Sequence, residues 1–252
     1  MKPLLPPLPA RSTLAADALS LLKELLLSGQ VVPGQRLSLR STAQALGVSI
    51  MPVREAVHQL VADQALEVEP NRSVRVPVMS AQQYLEVTRI RLHVESYAVR
   101  CAVPYVTPAL IRKLRKLNNQ FATLMDAGDP HQSKAILANK TLHYTVYEAA
   151  RMPVLVKLIE SLWLRVGPIL NYVVHSGADY PSGRTAFTYH AYLIDALEAQ
   201  DSDSACAALE DDIKSAYEYI IANRYPAASQ ATVHRIPHDA EAALTPDAPG
   251  NP

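Results

Sequence analysis

The chain has 252 residues, enough for two modest domains, and a composition of 49% hydrophobic and 19% charged residues is that of a globular protein with a buried core. Lys and Arg total 24 and Asp and Glu total 24, so overall charge announces no polyanionic partner, and any contact with nucleic acid must come from local placement of cations. Two cysteines, Cys101 and Cys206, without a CxxC spacing argue against a disulfide scaffold and for a reducing cytoplasm, and no uninterrupted apolar run is long enough to span a membrane.

Residues 1–12, rich in proline, are expected to form a flexible arm. From Thr13 onward, Leu14, Ala18, Leu21, Leu22 and Leu25 recur at helical spacing until Gly29, and Val32-Pro33-Gly34 turns the chain. Ser38 can cap a helix from Leu39 to Leu46, because its hydroxyl accepts an amide proton that a helix start leaves unpaired. Gly47 suits the left-handed residue just past that helix, and Ser49 is expected to cap the next one. Pro52 falls in the first turn of the second helix, where a missing amide proton breaks no bond. Val53, Val57, Leu60 and Val61 then share one apolar face, while Arg54, Glu55, His58 and Gln59 point elsewhere.

Helix, glycine turn and helix also describe an ordinary helical hairpin. The following segment favours a DNA-binding module: residues Leu66 to Val76 alternate apolar and polar about Pro70-Asn71-Arg72-Ser73, as the two strands of a wing would. Of the six basic residues between Thr13 and Pro77, all but Lys23 lie from Arg36 to the wing, where a small module meets phosphates.

Beyond Pro77 the pattern is helical throughout. Ser80 with Gln83 forms a capping box for a helix to about Val103, and Thr107-Pro108 opens another that ends near Gly128. Further helices are expected over 132–150, from Pro153, from Pro181-Ser182-Gly183 to Ala199, and from Ser202 to Arg224. The fold class is therefore mainly α, an N-terminal winged helix-turn-helix at 13–77 followed by an all-helical bundle at 80–225, with a disordered tail at 226–252.

The run Pro33-Gly34-Gln35-Arg36-Leu37, Leu46-Gly47-Val48-Ser49, Pro52-Val53-Arg54-Glu55-Ala56 and Pro70-Asn71-Arg72 resembles the GntR family of bacterial transcription regulators. By that resemblance Arg40, Arg54 and Arg72 contact a double-stranded operator, with Arg36, Ser49, Ile50, Met51 and Asn71 completing the DNA face. Ile50 stands where the family usually has a base-reading arginine, and Ser73 where the wing usually has glycine, which implies an unusual operator.

Asn139 and His143 project from one helix face a turn apart, a spacing that suits chelation but also a hydrogen-bonded histidine. The wider pattern resembles FCD, the helical ligand-binding domain of one GntR branch, whose metal is held by one Asp and three His. The matching positions here are Asn139, His143, His190 and Asp212, so the first acid has become an amide and the last histidine an acid, with the total ligand charge unchanged. Zinc, nickel, manganese or iron would suit such a set. The resemblance also implies a carboxylate effector, for which Arg91 supplies a bidentate fork unless it pairs with Glu95 four residues on. Tyr144 and Tyr189, with Tyr147, Tyr172 and Tyr192, either line that pocket or are core residues with bonded hydroxyls, and Trp163 is assigned to core.

The expectation is a homodimeric, metabolite-responsive repressor that does not bind membranes. The alternative is a small helical metalloenzyme using Asn139, His143, His190 and Asp212, although the sequence has no HExxH, nucleophile elbow or glycine-rich phosphate loop.

Overall fold

A computed structural model describes residues 14–28, 30–70, 73–127, 132–175 and 182–223. The expected arm, the expected tail and the wing tip Asn71-Arg72 lie outside the described residues, as does the side chain of Tyr172.

Helix α1 (Leu14–Leu27) buries Ala18, Leu22, Leu26 and Leu27, an i, i+4, i+8 stripe that packs on the helix-turn-helix. Strand β1 (Arg36–Leu37) leads into α2 (Leu39–Ala45), whose cap Ser38 accepts from the Ser41 amide at 3.3 Å. Gly47 has φ +65°, the left-handed conformation that ends α2 without a Cβ clash. Helix α3 (Ile50–Ala62) follows, burying Val53, Ala56, Val57 and Leu60. Ser49 occupies the N-cap position of α3, but contrary to expectation its side chain makes no capping hydrogen bond, and the residue stands exposed at the helix start.

Strands β2 (Glu67–Val68) and β3 (Val74–Arg75) form the wing in antiparallel register, Glu67 opposite Arg75 and Val68 opposite Val74. β1 pairs with the other edge of β3, giving the order β1-β3-β2. β1 has no counterpart among the elements expected from the sequence. Two residues are too short to show an alternating pattern.

The remainder is helical: α4 (Ala81–Ala102), a single 3-10 turn (Val103–Tyr105), α5 (Pro108–Asp126), α6 (Gln132–Ala149), α7 (Pro153–His175), α8 (Ser182–Glu198) and α9 (Ser202–Ala222). The capping box forms as read, with the Gln83 amide donating to Ser80 Oγ and the Ser80 amide to Gln83 Oε1. Thr107 and Asp201 cap α5 and α9 through their side chains. Helices α4, α6, α8 and α9 enclose the interior of the bundle, with α5 closing the side beside α6 and α8.

Helix α7 joins the two halves. Its Glu160 pairs with Lys23 of α1 at 2.6 Å, and a Cβ at Gly167 would stand 3.0 Å from the Leu26 carbonyl oxygen and 3.1 Å from Leu27 Cδ2. That neighbour is backbone inside α1, so it cannot yield without moving the helix. Gly167→Ala is therefore expected to lower stability by about 1–2 kcal/mol, because overpacking outweighs the helix-propensity gain of up to about 1 kcal/mol. Urea unfolding of the variant checks this. No helix among the described residues is long and apolar enough to cross a membrane.

Candidate functional site

Two surfaces carry chemistry. The first is the outer face of α3, where Arg54, Glu55, His58 and Gln59 are exposed, opposite the buried valines. At its N-terminal end Ile50 is 37% and Met51 51% exposed, and Arg40 on α2 is exposed beside them in sequence. Both large apolar side chains thus present part of their surface to solvent at the start of α3. They suit contact with thymine methyl groups in a major groove. Arg36 is held at 3.0 Å by Glu69, which also receives Arg75 at 3.4 Å and the Ser73 hydroxyl. The Ser73 hydrogen bond, then both arginines, outweigh partial burial and lower the Glu69 carboxyl below its usual range.

The second lies inside the bundle, where α6 brings His143, α8 His190 and α9 Asp212 together. His143 Nε2 is 3.2 Å from His190 Nε2 and 3.3 Å from Asp212 Oδ2, and His190 Nε2 is 3.8 Å from that oxygen. The histidines are 2% and 0% exposed, so water offers little compensation.

The outer partners decide which atoms carry protons. The Tyr147 hydroxyl is 2.5 Å from Glu95 Oε2 and 3.3 Å from His143 Nδ1. Burial first, and then the charge and hydrogen bond of Glu95, raise the Tyr147 phenol well above its ordinary range, so it keeps its single proton and gives it to Glu95. Its oxygen is left to accept from His143 Nδ1–H. On the other side Asn118 Nδ2 donates to the Phe187 carbonyl at 3.0 Å, which fixes the amide so that Oδ1 faces His190 Nδ1 at 3.1 Å. A backbone carbonyl only accepts, so His190 Nδ1 must be the donor to Asn118. Both rings thus carry hydrogen on Nδ1 and turn a bare Nε2 inward.

Burial lowers the His190 pKa, opposed by Asp212, and keeps its imidazole neutral near pH 7. For Asp212 burial acts upward, but the attraction of the two imidazoles once either gains a second proton, His190 foremost, prevails and holds its carboxyl well below the usual range. Two nitrogen lone pairs and a carboxylate oxygen therefore meet with no hydrogen between them unless one ring takes a second proton. A cation removes the conflict. Donors about 2.1 Å from a tetrahedral cation lie about 3.4 Å apart, and the separations here are 3.2, 3.3 and 3.8 Å.

Arg91 sits beyond Tyr147. Its Nε donates to Glu95 Oε1 at 2.6 Å and Nη2 lies 3.4 Å from Oε2, while its guanidinium stacks 5.1 Å over Trp163. Burial disfavours the charge, but Glu95 more than reverses this and raises the Arg91 pKa. The fork is thus paired within its own helix, with Glu95 fully buried. Trp163 is buried as expected, but also bridges the site, its ring 5.5 Å from both His143 and Tyr144. Trp163 Nε1, the Tyr144 hydroxyl and Thr88 Oγ1 are buried without a hydrogen-bond partner. Unpaired buried polar groups are uncommon in folded proteins and are usually met by a water, an ion or a ligand.

Asn139, one turn before His143, is half-buried and makes no hydrogen bond to the three converging residues. Tyr189 is half-buried next to His190, its ring against the exposed Tyr192 at 6.5 Å. A separate open cleft of about 620 Å³ is lined by Tyr144, Glu148, Arg151, Lys157 and Glu160 among others, but by none of the three converging residues. Sequence reasoning missed Asn118, and gave Glu95 and Tyr147 no role in orienting a histidine. The one available signal was an amide interrupting the apolar stripe Ile111, Leu114 and Phe121 on α5.

Comparison with known proteins assigns a family to each half of the chain. The FCD domain family matches residues 86–215, and the family "Bacterial regulatory proteins, gntR family" matches residues 14–76. The HTH-type transcriptional regulator McbR of Escherichia coli (strain K12) is 36% identical over 182 residues, 72% of this chain and 81% of that protein. The HTH-type transcriptional repressor GlaR of the same organism is 29% identical over 163 residues, 59% of this chain and 73% of that protein. The solved structure of E. coli McbR/YncC superposes with a TM-score of 0.78 at 31% identity, covering 84% of this chain and 98% of that one. These relatives are regulators rather than enzymes, which sets the metalloenzyme alternative aside.

Proposed function

We propose, because this chain belongs to the gntR family of bacterial regulatory proteins and is a DNA-binding transcription regulator with an FCD domain, that a small anionic metabolite bound inside its helical half controls operator binding. The observation that carries the reading is the meeting of His143 Nε2, His190 Nε2 and Asp212 Oδ2 with both rings oriented from behind. Those three atoms would hold a divalent cation, with Asn139 as a further oxygen donor, and nitrogen with oxygen suits zinc, nickel, manganese or iron. When bound, the cation supplies an electrophilic position for a carboxylate oxygen of the effector. Trp163 and Tyr144 would orient the rest of that molecule through their unpartnered donors, with Arg91 and Tyr189 at its margins.

Residues 13–77 then form the DNA-binding unit and 80–225 the sensing unit. Arg40, Ser49, Ile50, Met51 and Arg54 would face the major groove, and Arg36, Asn71 and Arg72 the phosphates and minor groove beside the wing. Two copies would read a palindromic site, and a shift of α7 against α1 at Gly167 and Glu160 would change the separation of their recognition helices. Repression is the direction we propose, since the relative GlaR is a transcriptional repressor.

Selection of genomic fragments by the purified protein tests this reading, followed by release with carboxylates drawn from the genes beside the recovered site. Enrichment of no sequence over random competitor at moderate salt would overturn it. Within the recovered operator, Arg54→Ala is expected to weaken binding by about 1–3 kcal/mol, roughly 5- to 150-fold, with an unchanged melting curve. Fluorescence anisotropy on a labelled duplex measures the loss.

A further inference from the structure

Helices α6 and α7 are joined through Ala150-Arg151-Met152, and the open cleft of about 620 Å³ runs along that turn, between the end of α6 and the start of α7. Its volume is that of a small-molecule site. Met152, Pro153 and Val156 give it an apolar lining, to which Tyr144 adds a ring. Arg151 takes the left-handed conformation at φ +55°, and its guanidinium is stacked 4.3 Å over the Tyr105 ring.

The charges around the cleft do not balance. Glu160 is paired with Lys23 at 2.6 Å, which leaves Glu148 as the acid of the lining that has no ion pair among the described residues. Against it stand Arg151 and Lys157 in the lining and Lys140 beside it, none of which has an ion pair among the described residues either. Lys140 is half-buried, its Nζ 5.6 Å over the Tyr144 ring. Burial lowers its pKa, and the more distant charges of Glu160 and Glu24 offset this only in part. A partly desolvated ammonium without a carboxylate is unfavourable, and an anion entering the cleft would supply the missing charge.

We propose that this cleft is a second ligand site, separate from the buried cluster, for a small organic anion: a carboxylate, sulfonate or phosphate carried on an apolar body. The oxyanion lies between Arg151 and Lys157, and the apolar body rests on Met152, Val156 and Tyr144. Tyr144 is the wall nearest the buried cluster, its ring 5.5 Å from Trp163, which is in turn 5.5 Å from His143. Lys157 and Glu160 also line a smaller cleft of about 270 Å³ with Lys23 and Asp63, so the ligand sits beside the contact between the two halves of the chain. None of this requires a cation in the bundle or the binding of DNA.

Titration of the full chain with anilinonaphthalene sulfonate, a sulfonate on an aromatic body, tests the site. The dye is expected to bind with one equivalent per chain and to quench the emission of Trp163, the single tryptophan. Arg151→Glu with Lys157→Glu should weaken binding roughly tenfold or more, the scale of one or two lost contacts to a charged group. Val154→Glu, which adds the same negative charge at an exposed neighbour outside the lining, should not. The neutral analogue phenylnaphthylamine should bind as weakly as the dye does to the double variant. One equivalent of zinc should leave the dye's dissociation constant unchanged. Melting curves of the variants confirm folding. No stoichiometric binding, a double variant that binds as well as the unmodified chain, a Val154→Glu variant weakened to the same extent, a neutral analogue that binds equally well, or a dye displaced by zinc would each overturn the proposal.

Discussion

Glu95→Ala is expected to lower the unfolding free energy by about 3–5 kcal/mol, because it strands the Arg91 guanidinium in an apolar interior. Arg91 is 6% exposed and its recorded ion-pair partner is Glu95, so no solvent replaces the lost carboxylate. Against a total of about 5–15 kcal/mol for a typical domain, this is a large fraction of stability. Replacing both members with apolar residues, Arg91→Met with Glu95→Leu, should recover most of the loss, since neither charge then remains buried. Chemical denaturation of the single and double variants measures the coupling. A second effect separates this from simple destabilisation. Without Glu95 the Tyr147 proton turns to His143 Nδ1 and moves the ring hydrogen to Nε2, so cation affinity should fall about 10- to 100-fold.

The second large effect concerns the three converging acceptors. Zinc or nickel at about 100 times its dissociation constant should stabilise the protein by roughly 2.7 kcal/mol, a rise in melting temperature of roughly 5–10 °C for a chain of this size. Asp212→Ala or His190→Ala should abolish the rise. Both residues lie among well-packed helices, and Asp212 is already 13% exposed, so the Asp212 variant should fold. Scanning calorimetry with and without chelator reads the difference directly.

Much of the architecture was legible because local chemistry sets the helix boundaries. Ser80 with Gln83, Thr107 before Pro108, and Gly47 at φ +65° each decide one end of an element through a hydrogen bond or a backbone conformation made within a few residues. β1 was not legible, because it exists only through pairing with β3 nearly forty residues later and has no pattern of its own. Ser49 was legible as a cap by position but not by bonding. Its exposed hydroxyl has solvent available, and nothing local compels the capping geometry.

The interior site divides in the same way. The Arg91–Glu95 pair follows from a spacing of four on one helix. His143, His190 and Asp212 lie on three helices, and spacing alone does not bring them together; the family pattern was needed. Asn118 had neither local spacing nor a pattern behind it. Its partner His190 lies 72 residues away, and the contact appears only once α5 is laid along α8.

In the proposed site His143 and His190 both carry hydrogen on Nδ1 and would offer bare Nε2 atoms, with Asp212, to one cation. Long-range nitrogen–proton NMR of the histidine rings, recorded before and after one equivalent of zinc, tests it most directly. Two rings with protonated Nδ1 and with Nε2 resonances displaced by zinc are the predicted result. Protonated Nε2 atoms that do not respond to zinc would contradict it.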